Sequence, residues 1–185
     1  MYLNLGSRSA AVFADAGTDG LQIKWIVKEQ KHENRNGGTE HMRTEHGIES
    51  AVGRYIASHY TSAVEVGFGG KTYAAEVLLR AGIPVLCTDV HAYPDCTAVR
   101  SVVDDCVEPR LSLYEGADVI YAVRPGLEIV PALISLAERV HADLVVYHLG
   151  FEVYMDGGEV IDLGAETGGV LLHRYVRGGA VVSRR

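Results

Sequence analysis

The chain has 185 residues, with 17 basic and 24 acidic side chains and a formal net charge of −7. Apolar residues make up 48% and charged residues 22%, the balance of one soluble globular domain, and the apolar runs are interrupted too often to form a membrane-spanning helix. The acidic surplus argues against a surface that coats nucleic acid, and no basic segment leads into an apolar one, as a secretory signal requires.

Residues 1–41 differ in composition from the rest. They hold three of the four lysines and balance five basic residues with five acidic ones, so the whole net charge lies from Met42 onward. Leu21, Ile23, Trp25, Ile26 and Val27 make one short strand, and the polar run over 28–40 cannot bury enough apolar area to offset its ordering entropy. The composition predicts a disordered extension over 1–41, with Met42 as a candidate true start. Docking of Trp25 on the core is the alternative. A single domain is placed at 42–178, and 179–185 is a flexible tail.

From Glu45 the pattern is regular. Ile48, Ala51, Val52, Tyr55, Ile56 and Tyr60 recur at helical spacing, with Thr44 as cap. Ala63-Val64-Glu65-Val66 is a strand closed by Gly67. A helix follows over 71–81, stopped by Gly82 and Pro84. Strands are predicted over 85–88, 98–103, 119–123 and 144–147, and a helix over 128–140 with Pro131 in its first turn. Residues 159–163 and 170–176 form a late antiparallel pair. Short apolar strands without alternation are buried on both faces. Alternating with helices, they predict an α/β fold of Rossmann-like, three-layer type, its mostly parallel sheet ending in an antiparallel C-terminal hairpin. Two crossovers, after Asp89 and after the 144–147 strand, are too short for a full helix.

Ligands in such sheets bind beyond the carboxyl ends of the strands. Standing there are Glu65-Val66-Gly67-Phe68-Gly69-Gly70, Asp89 with His91, Asp104-Asp105, Arg124-Pro125-Gly126 and His148. Gly67 and Gly69 permit a tight turn and close approach of backbone amides to a ligand, at the start of the next helix. Asp89, 22 residues after Gly67, stands where a carboxylate accepts from ribose hydroxyls, and Asp104 or Asp105 is placed to accept from an adenine amino group. Plain turns and caps compete with each of these roles.

These residues resemble the class I S-adenosylmethionine-dependent methyltransferase fold. Glu65-Val66-Gly67-Phe68-Gly69-Gly70 is similar to its first motif, which implies that this loop faces the methionine part of the cofactor. By the same likeness Asp89 holds the ribose and Asp104 or Asp105 faces the adenine. More narrowly, the chain over 48–176 resembles an archaeal family of uncharacterised proteins with a compact methyltransferase-like fold. The marks are Val64-Glu65-Val66-Gly67, Thr88-Asp89-Val90, Asp104-Asp105 and Ile120-Tyr121-Ala122-Val123-Arg124-Pro125. Members begin near the position of Met42. The likeness implies an S-adenosylmethionine or related adenosyl ligand and a methyltransferase of unknown acceptor. Arg124-Pro125-Gly126 departs from the Asn/Asp-Pro-Pro-aromatic motif of amino-methylating relatives, and no Pro-Cys nucleophile stands there.

Arg124 is a candidate clamp for a substrate carboxylate or phosphate, against a salt bridge to Glu128 or a strand-end aspartate. His148 is a candidate general base, against a packed or solvated histidine. Tyr121 and Tyr147 read as packing. Cys87, Cys96 and Cys106 lack zinc-site spacing and no metal is expected, a Cys87, His91 and Cys96 set being the remote exception. Their odd number fits a reducing cytoplasm. Two further functions compete with the methyltransferase: a non-catalytic module that binds a nucleoside ligand, and an NAD-binding Rossmann protein. Thr72 stands where the latter's third glycine belongs.

Overall fold

The computed structural model describes residues 11–14, 23–26, 45–148, 158–164, 167 and 169–176. The Thr44 cap, Met42 and the 179–185 tail lie outside them, as does the Trp25 side chain. Within the first 41 residues, β1 (Ala11–Ala14) and β2 (Ile23–Ile26) pair antiparallel, Val12 opposite Trp25. The sequence shows β2 by its apolar run. β1 is a partner that only the ladder reveals.

The remaining elements run α1 (Glu45–His59), β3 (Ala63–Val66), α2 (Tyr73–Arg80), β4 (Val85–Asp89), β5 (Arg100–Val103), β6 (Val119–Val123), α3 (Val130–Val140), β7 (Asp143–Tyr147), β8 (Glu159–Asp162) and β9 (Leu171–Tyr175). Among the described residues the main sheet has seven strands in the order β5-β4-β3-β6-β7-β9-β8. The first five are parallel, and β9 runs antiparallel to both β7 and β8. This is the doubly wound order, with the direction in which strands are added reversing between β3 and β6 and a hairpin added at one edge.

Alternate strand residues point to opposite faces. Ala63, Val85, Cys87, Val119, Tyr121 and Val145 pack with Ala51, Val52, Tyr55 and Ile56 of α1 and Ala74, Ala75 and Leu78 of α2. Val64, Val66, Leu86, Ile120, Ala122, Leu144 and Val146 pack with Leu133, Leu136 and Ala137 of α3. The result is three layers, helix, sheet and helix.

Several ends differ from the sequence expectation for local reasons. α2 starts at Tyr73 rather than at residue 71, because the Lys71 amide closes a turn on the Phe68 carbonyl and Glu76 N–H to Thr72 is the bond that opens the helix. β5 starts at Arg100, opposite Leu86, rather than at residue 98. α3 is preceded by a 3-10 turn at Leu127–Ile129, which takes up the residues expected to begin the helix. Pro131 lies in its first turn, where a missing N–H costs nothing. Gly82 adopts φ +80, the left-handed value a helix terminator needs.

α1 and α2 approach closely at Gly53. A Cβ added there would lie 2.7 Å from the Ala74 carbonyl oxygen and 2.9 Å from Val77 Cβ. Gly to Ala inside a helix ordinarily gains about 1 kcal/mol, but overpacking a buried contact costs about 1–3 kcal/mol. Gly53→Ala is therefore expected to destabilise the domain, seen as a lower urea midpoint. A raised midpoint would show that the two helices have room to spare.

Candidate functional site

The centre of the site is a carboxyl group inside the sheet. Glu65 is paired in register with Cys87 on β4 and with Tyr121 on β6. All three side chains point to the α1 face, and both neighbours donate to Glu65 Oε2: the Tyr121 hydroxyl at 2.8 Å and the Cys87 thiol at 3.8 Å. Burial pushes the Glu65 carboxyl up to about 8, the nearby Glu49 pushes the same way, and the Tyr121 hydrogen bond opposes both. The Cys87 thiol is also pushed up, by burial first and by Glu65, so it is held as a thiol rather than a nucleophilic thiolate. Tyr121, expected as packing, is fully buried packing that also satisfies this carboxyl.

Beyond Val66 the chain turns through Gly67, Gly69 and Gly70, with φ of +70, +58 and +72. The Gly67 amide donates to the Thr88 carbonyl at 2.8 Å. The Gly69 amide donates to Asp89 Oδ2 at 2.9 Å, and the His91 amide donates to Asp89 Oδ1 at 3.0 Å. One buried carboxylate thus joins the loop after β3 to the turn after β4. Tyr93 lies over Gly70, where a Cβ would come within 2.8 Å of its ring, and meets Phe68 edge-on at 5.0 Å. The Cys96 thiol donates to the Gly70 carbonyl at 3.2 Å.

A cavity of about 250 Å3 opens at the crossover, lined by Glu49, Glu65, Gly67, Phe68, Gly69, Lys71, Val123 and Arg124. Arg124 ends β6 in the left-handed region, φ +56, which is strained for a residue with a side chain. Its guanidinium meets Glu49 Oε1 at 2.9 Å. The expected alternative partners, Glu128 and the strand-end aspartates, are replaced by a carboxylate of α1. The other oxygen, Glu49 Oε2, is buried with no hydrogen-bond partner among the described residues. The residues lining the cavity therefore include a guanidinium, an ammonium, the Glu49 carboxylate and a carboxyl that favours its neutral form. Such a set suits a ligand end carrying both charges.

Other expected residues stand elsewhere. Asp104 is buried and accepts from Arg110 Nε and the Tyr114 hydroxyl, each at 2.8 Å. Asp105 accepts from the Val107 amide at 2.9 Å in a local turn. His148 follows β7 and lies near His173, whose pKa is lowered by burial and then by His148. None of these three lines the cavity. A second cavity of about 200 Å3 lies over β4 and β5, lined by His91, Ala92, Tyr93, Pro94, Ser101, Val102 and Val103. Cys87 and Cys96 turn to Glu65 and Gly70, and among the described residues no three metal-ligating side chains converge. Sequence reasoning missed Glu49 as a site residue. Its signal was an acid three and seven residues before Val52 and Ile56, on the apolar stripe of α1.

The sheet order and the layers place the protein in the class of methyltransferase-like Rossmann folds. The chain superposes on an O-methyltransferase family protein from Burkholderia thailandensis with a TM-score of 0.51 and 13% identity, over 75% of this chain and 58% of that one. At that identity the likeness concerns fold alone, and the chain spans little more than half of that neighbour. Its sequence is more specific: the chain belongs to the uncharacterised protein family UPF0146, whose model matches residues 50–159. The UPF0146 protein of the archaeon Archaeoglobus fulgidus is 38% identical over 116 residues, 62% of this chain and 88% of the relative. That of Halobacterium salinarum is 36% identical over 101 residues, 55% and 78% of the two chains. No helix among the described residues is long and apolar enough to cross a membrane.

The Glu65 carboxyl makes stability depend on pH. The folded protein keeps its proton up to about 8, whereas the unfolded chain releases it near the ordinary 4.5. Between those values the folded state binds more protons, so this contribution is complete below about pH 4.5 and is lost as pH rises through about 8. Gln resembles the protonated form and cannot ionise. Glu65→Gln is expected to match the wild type near pH 4.5 and to exceed it above pH 8 by on the order of 5 kcal/mol in urea unfolding. A difference that stays constant with pH would place the Glu65 titration near its ordinary value.

Proposed function

We propose that the protein binds an adenosyl ligand of the S-adenosylmethionine type over the carboxyl ends of β3, β4 and β6, and that it is a methyltransferase of unassigned acceptor. The observation that carries this reading is the Gly69 amide bound to the Asp89 carboxylate beside the cavity. It sets a left-handed glycine loop and a strand-end acid side by side, as a nucleoside with a charged tail requires.

The residues present fit such a ligand. A Cβ built on Gly67 or Gly69 meets nothing within 4 Å, so the loop presents open backbone to whatever lies above it. Each Asp89 oxygen accepts one amide and retains a second lone pair for a ribose hydroxyl. The first cavity, about 250 Å3, is smaller than the ~300 Å3 at which sites for whole small molecules begin, so it holds one end of the ligand. The aromatic and apolar wall of the second, at Tyr93, Pro94 and Val103, suits a planar base. With Asp104 and Asp105 engaged inside the chain, base contacts fall in this reading to that wall rather than to the two acids.

Bound here, S-adenosylmethionine would supply an electrophilic methyl group. The protein's share is positioning: Asp89 and the loop fix the ligand's height, and Arg124 and Lys71 face its acidic end. Positioning alone can carry methyl transfer, since an acceptor held in line needs no protein nucleophile. The raised Cys87 thiol and the internally satisfied Glu65 also suit a module that binds without reacting. Transfer of labelled methyl to a component of cell extract separates the two.

In ligand-induced melting, S-adenosylmethionine and S-adenosylhomocysteine are expected to raise the transition temperature and NAD to leave it unchanged. Asp89→Ala, which removes charge-assisted hydrogen bonds, should weaken adenosyl binding at least ~tenfold. No shift with either adenosyl ligand at millimolar concentration would sink the reading.

A further inference from the structure

The connection from β4 to β5 holds no helix, and a strap over 90–99 takes its place. Its ends are fixed: the His91 amide is bonded to Asp89 Oδ1, and Val99 is buried in the α1-side core. Between Val90 and Ala98 every residue is exposed except Tyr93 and Cys96, which pack against that core. Both reach the glycine loop. The Cys96 thiol donates to the Gly70 carbonyl at 3.2 Å, and the Tyr93 ring lies over Gly70 and meets Phe68 edge-on.

The three glycines of the loop are not equivalent. A Cβ on Gly67 or Gly69 would meet nothing within 4 Å, whereas one on Gly70 would come within 2.8 Å of Tyr93 Cδ1 and 3.0 Å of Cε1. The space that the loop leaves open at two positions is filled at the third by Tyr93. The same ring parts two cavities. Phe68 lines the first, of about 250 Å3, Tyr93 lines the second, of about 200 Å3, and the two ring centroids are 5.0 Å apart. Each cavity is smaller than the ~300 Å3 at which sites for whole small molecules begin. A ligand that fills both must pass between these rings. Phe68 is buried in the core, so the ring that can move is Tyr93, on its exposed strap.

We propose that Tyr93 is a gate: its ring swings off Gly70, joins the two cavities and so admits an adenosyl ligand that spans both. The gate rests on the adenosyl reading given above, and the structure with two separate cavities is its closed state. Two contacts hold it shut, and each is modest. A thiol is a weak donor, and an edge-on ring pair adds little beyond the area it buries. Side-chain and loop rotations are faster than the arrival of a ligand, so opening is a rapid equilibrium. The association rate constant is then the open-state value multiplied by the fraction of molecules that are open. Gly70 has a second reason to lack a side chain, besides its φ of +72: the closed ring occupies the place of its Cβ.

The test is stopped-flow mixing of the full chain with S-adenosylhomocysteine, followed by tyrosine fluorescence, with calorimetric titration to establish binding. Tyr93→Ala should raise the association rate constant at least ~tenfold, and Tyr93→Phe, which keeps the ring, should stay within about twofold of the wild type. Cys96→Ala frees the strap while keeping Tyr93, and should raise the constant at least ~twofold. Tyr93→Ala decides the case if its urea transition shows it folded, and Cys96→Ala decides it otherwise. A fixed stacking wall gives a different split, in which Tyr93→Ala raises the dissociation rate constant alone and Cys96→Ala changes neither. An unchanged association rate constant in the deciding variant therefore overturns the gate and leaves the adenosyl reading standing. No binding of S-adenosylhomocysteine or S-adenosylmethionine by the wild type overturns the adenosyl reading and the gate with it.

Discussion

A carboxyl group in the middle of a parallel sheet has few ways to be tolerated. Ionised and alone, Glu65 would carry a desolvation cost that a domain of this size could not absorb. The register supplies the remedy: Cys87 on one side and Tyr121 on the other both reach its Oε2. Each donor is fixed by strand pairing rather than by a mobile loop. The three central strands β3, β4 and β6 must therefore keep their relative positions for the carboxyl to be satisfied. The ends of these strands also form the rim of the cavity, so satisfying Glu65 and shaping the site are one constraint.

The same constraint sets the charge of the cavity. Because Glu65 favours its neutral form, the wall is not doubly acidic, and Glu49 is the partner of Arg124. Arg124 reaches that partner from a left-handed backbone, φ +56, held by its own amide bonded to the Tyr147 carbonyl at 2.7 Å. A residue in that region costs about 1 kcal/mol or more, and strain of this kind persists where surrounding structure over-determines it. Here the adjoining strand and the Glu49 carboxylate fix both ends of the residue.

Much of the fold was legible because short β-branched runs and helical stripes report local periodicity directly. The parallel sheet, the antiparallel end and the thin crossover after Asp89 follow from run lengths between Ala63 and Tyr175, whereas the connection expected to be thin after the 144–147 strand lies outside the described residues. β1 was not legible, since Ala11 to Ala14 carries no alternation and its strand exists only through pairing with β2. The site was legible where chemistry coincides with backbone demand, as at Gly67, Gly69 and Asp89. It was less so at Asp104, since the sequence does not show that Arg110 and Tyr114 curl back onto it. Glu49 was hidden because a lone acid on a helix normally faces water, and nothing in its own neighbourhood names Arg124, 75 residues away, as its partner.

α1 links the stability of the fold to the composition of the site. Glu49, Val52, Gly53 and Ile56 lie within two turns of this helix. Val52 and Ile56 set its height above the sheet, and Gly53 lets it approach the Ala74 carbonyl of α2. That contact fixes α2 as well, whose preceding loop carries Gly69, Gly70 and Lys71. Moving α1 outward by the depth of one methyl group would shift Glu49 relative to Arg124 and the glycine loop relative to Asp89 at once. Distances near 2.9 Å tolerate little of that displacement, since a hydrogen bond weakens steeply once its geometry is lost. A small residue at the helix crossing thus governs how closely two groups of opposite charge meet in a cavity one turn away, with no contact between Gly53 and that cavity being required.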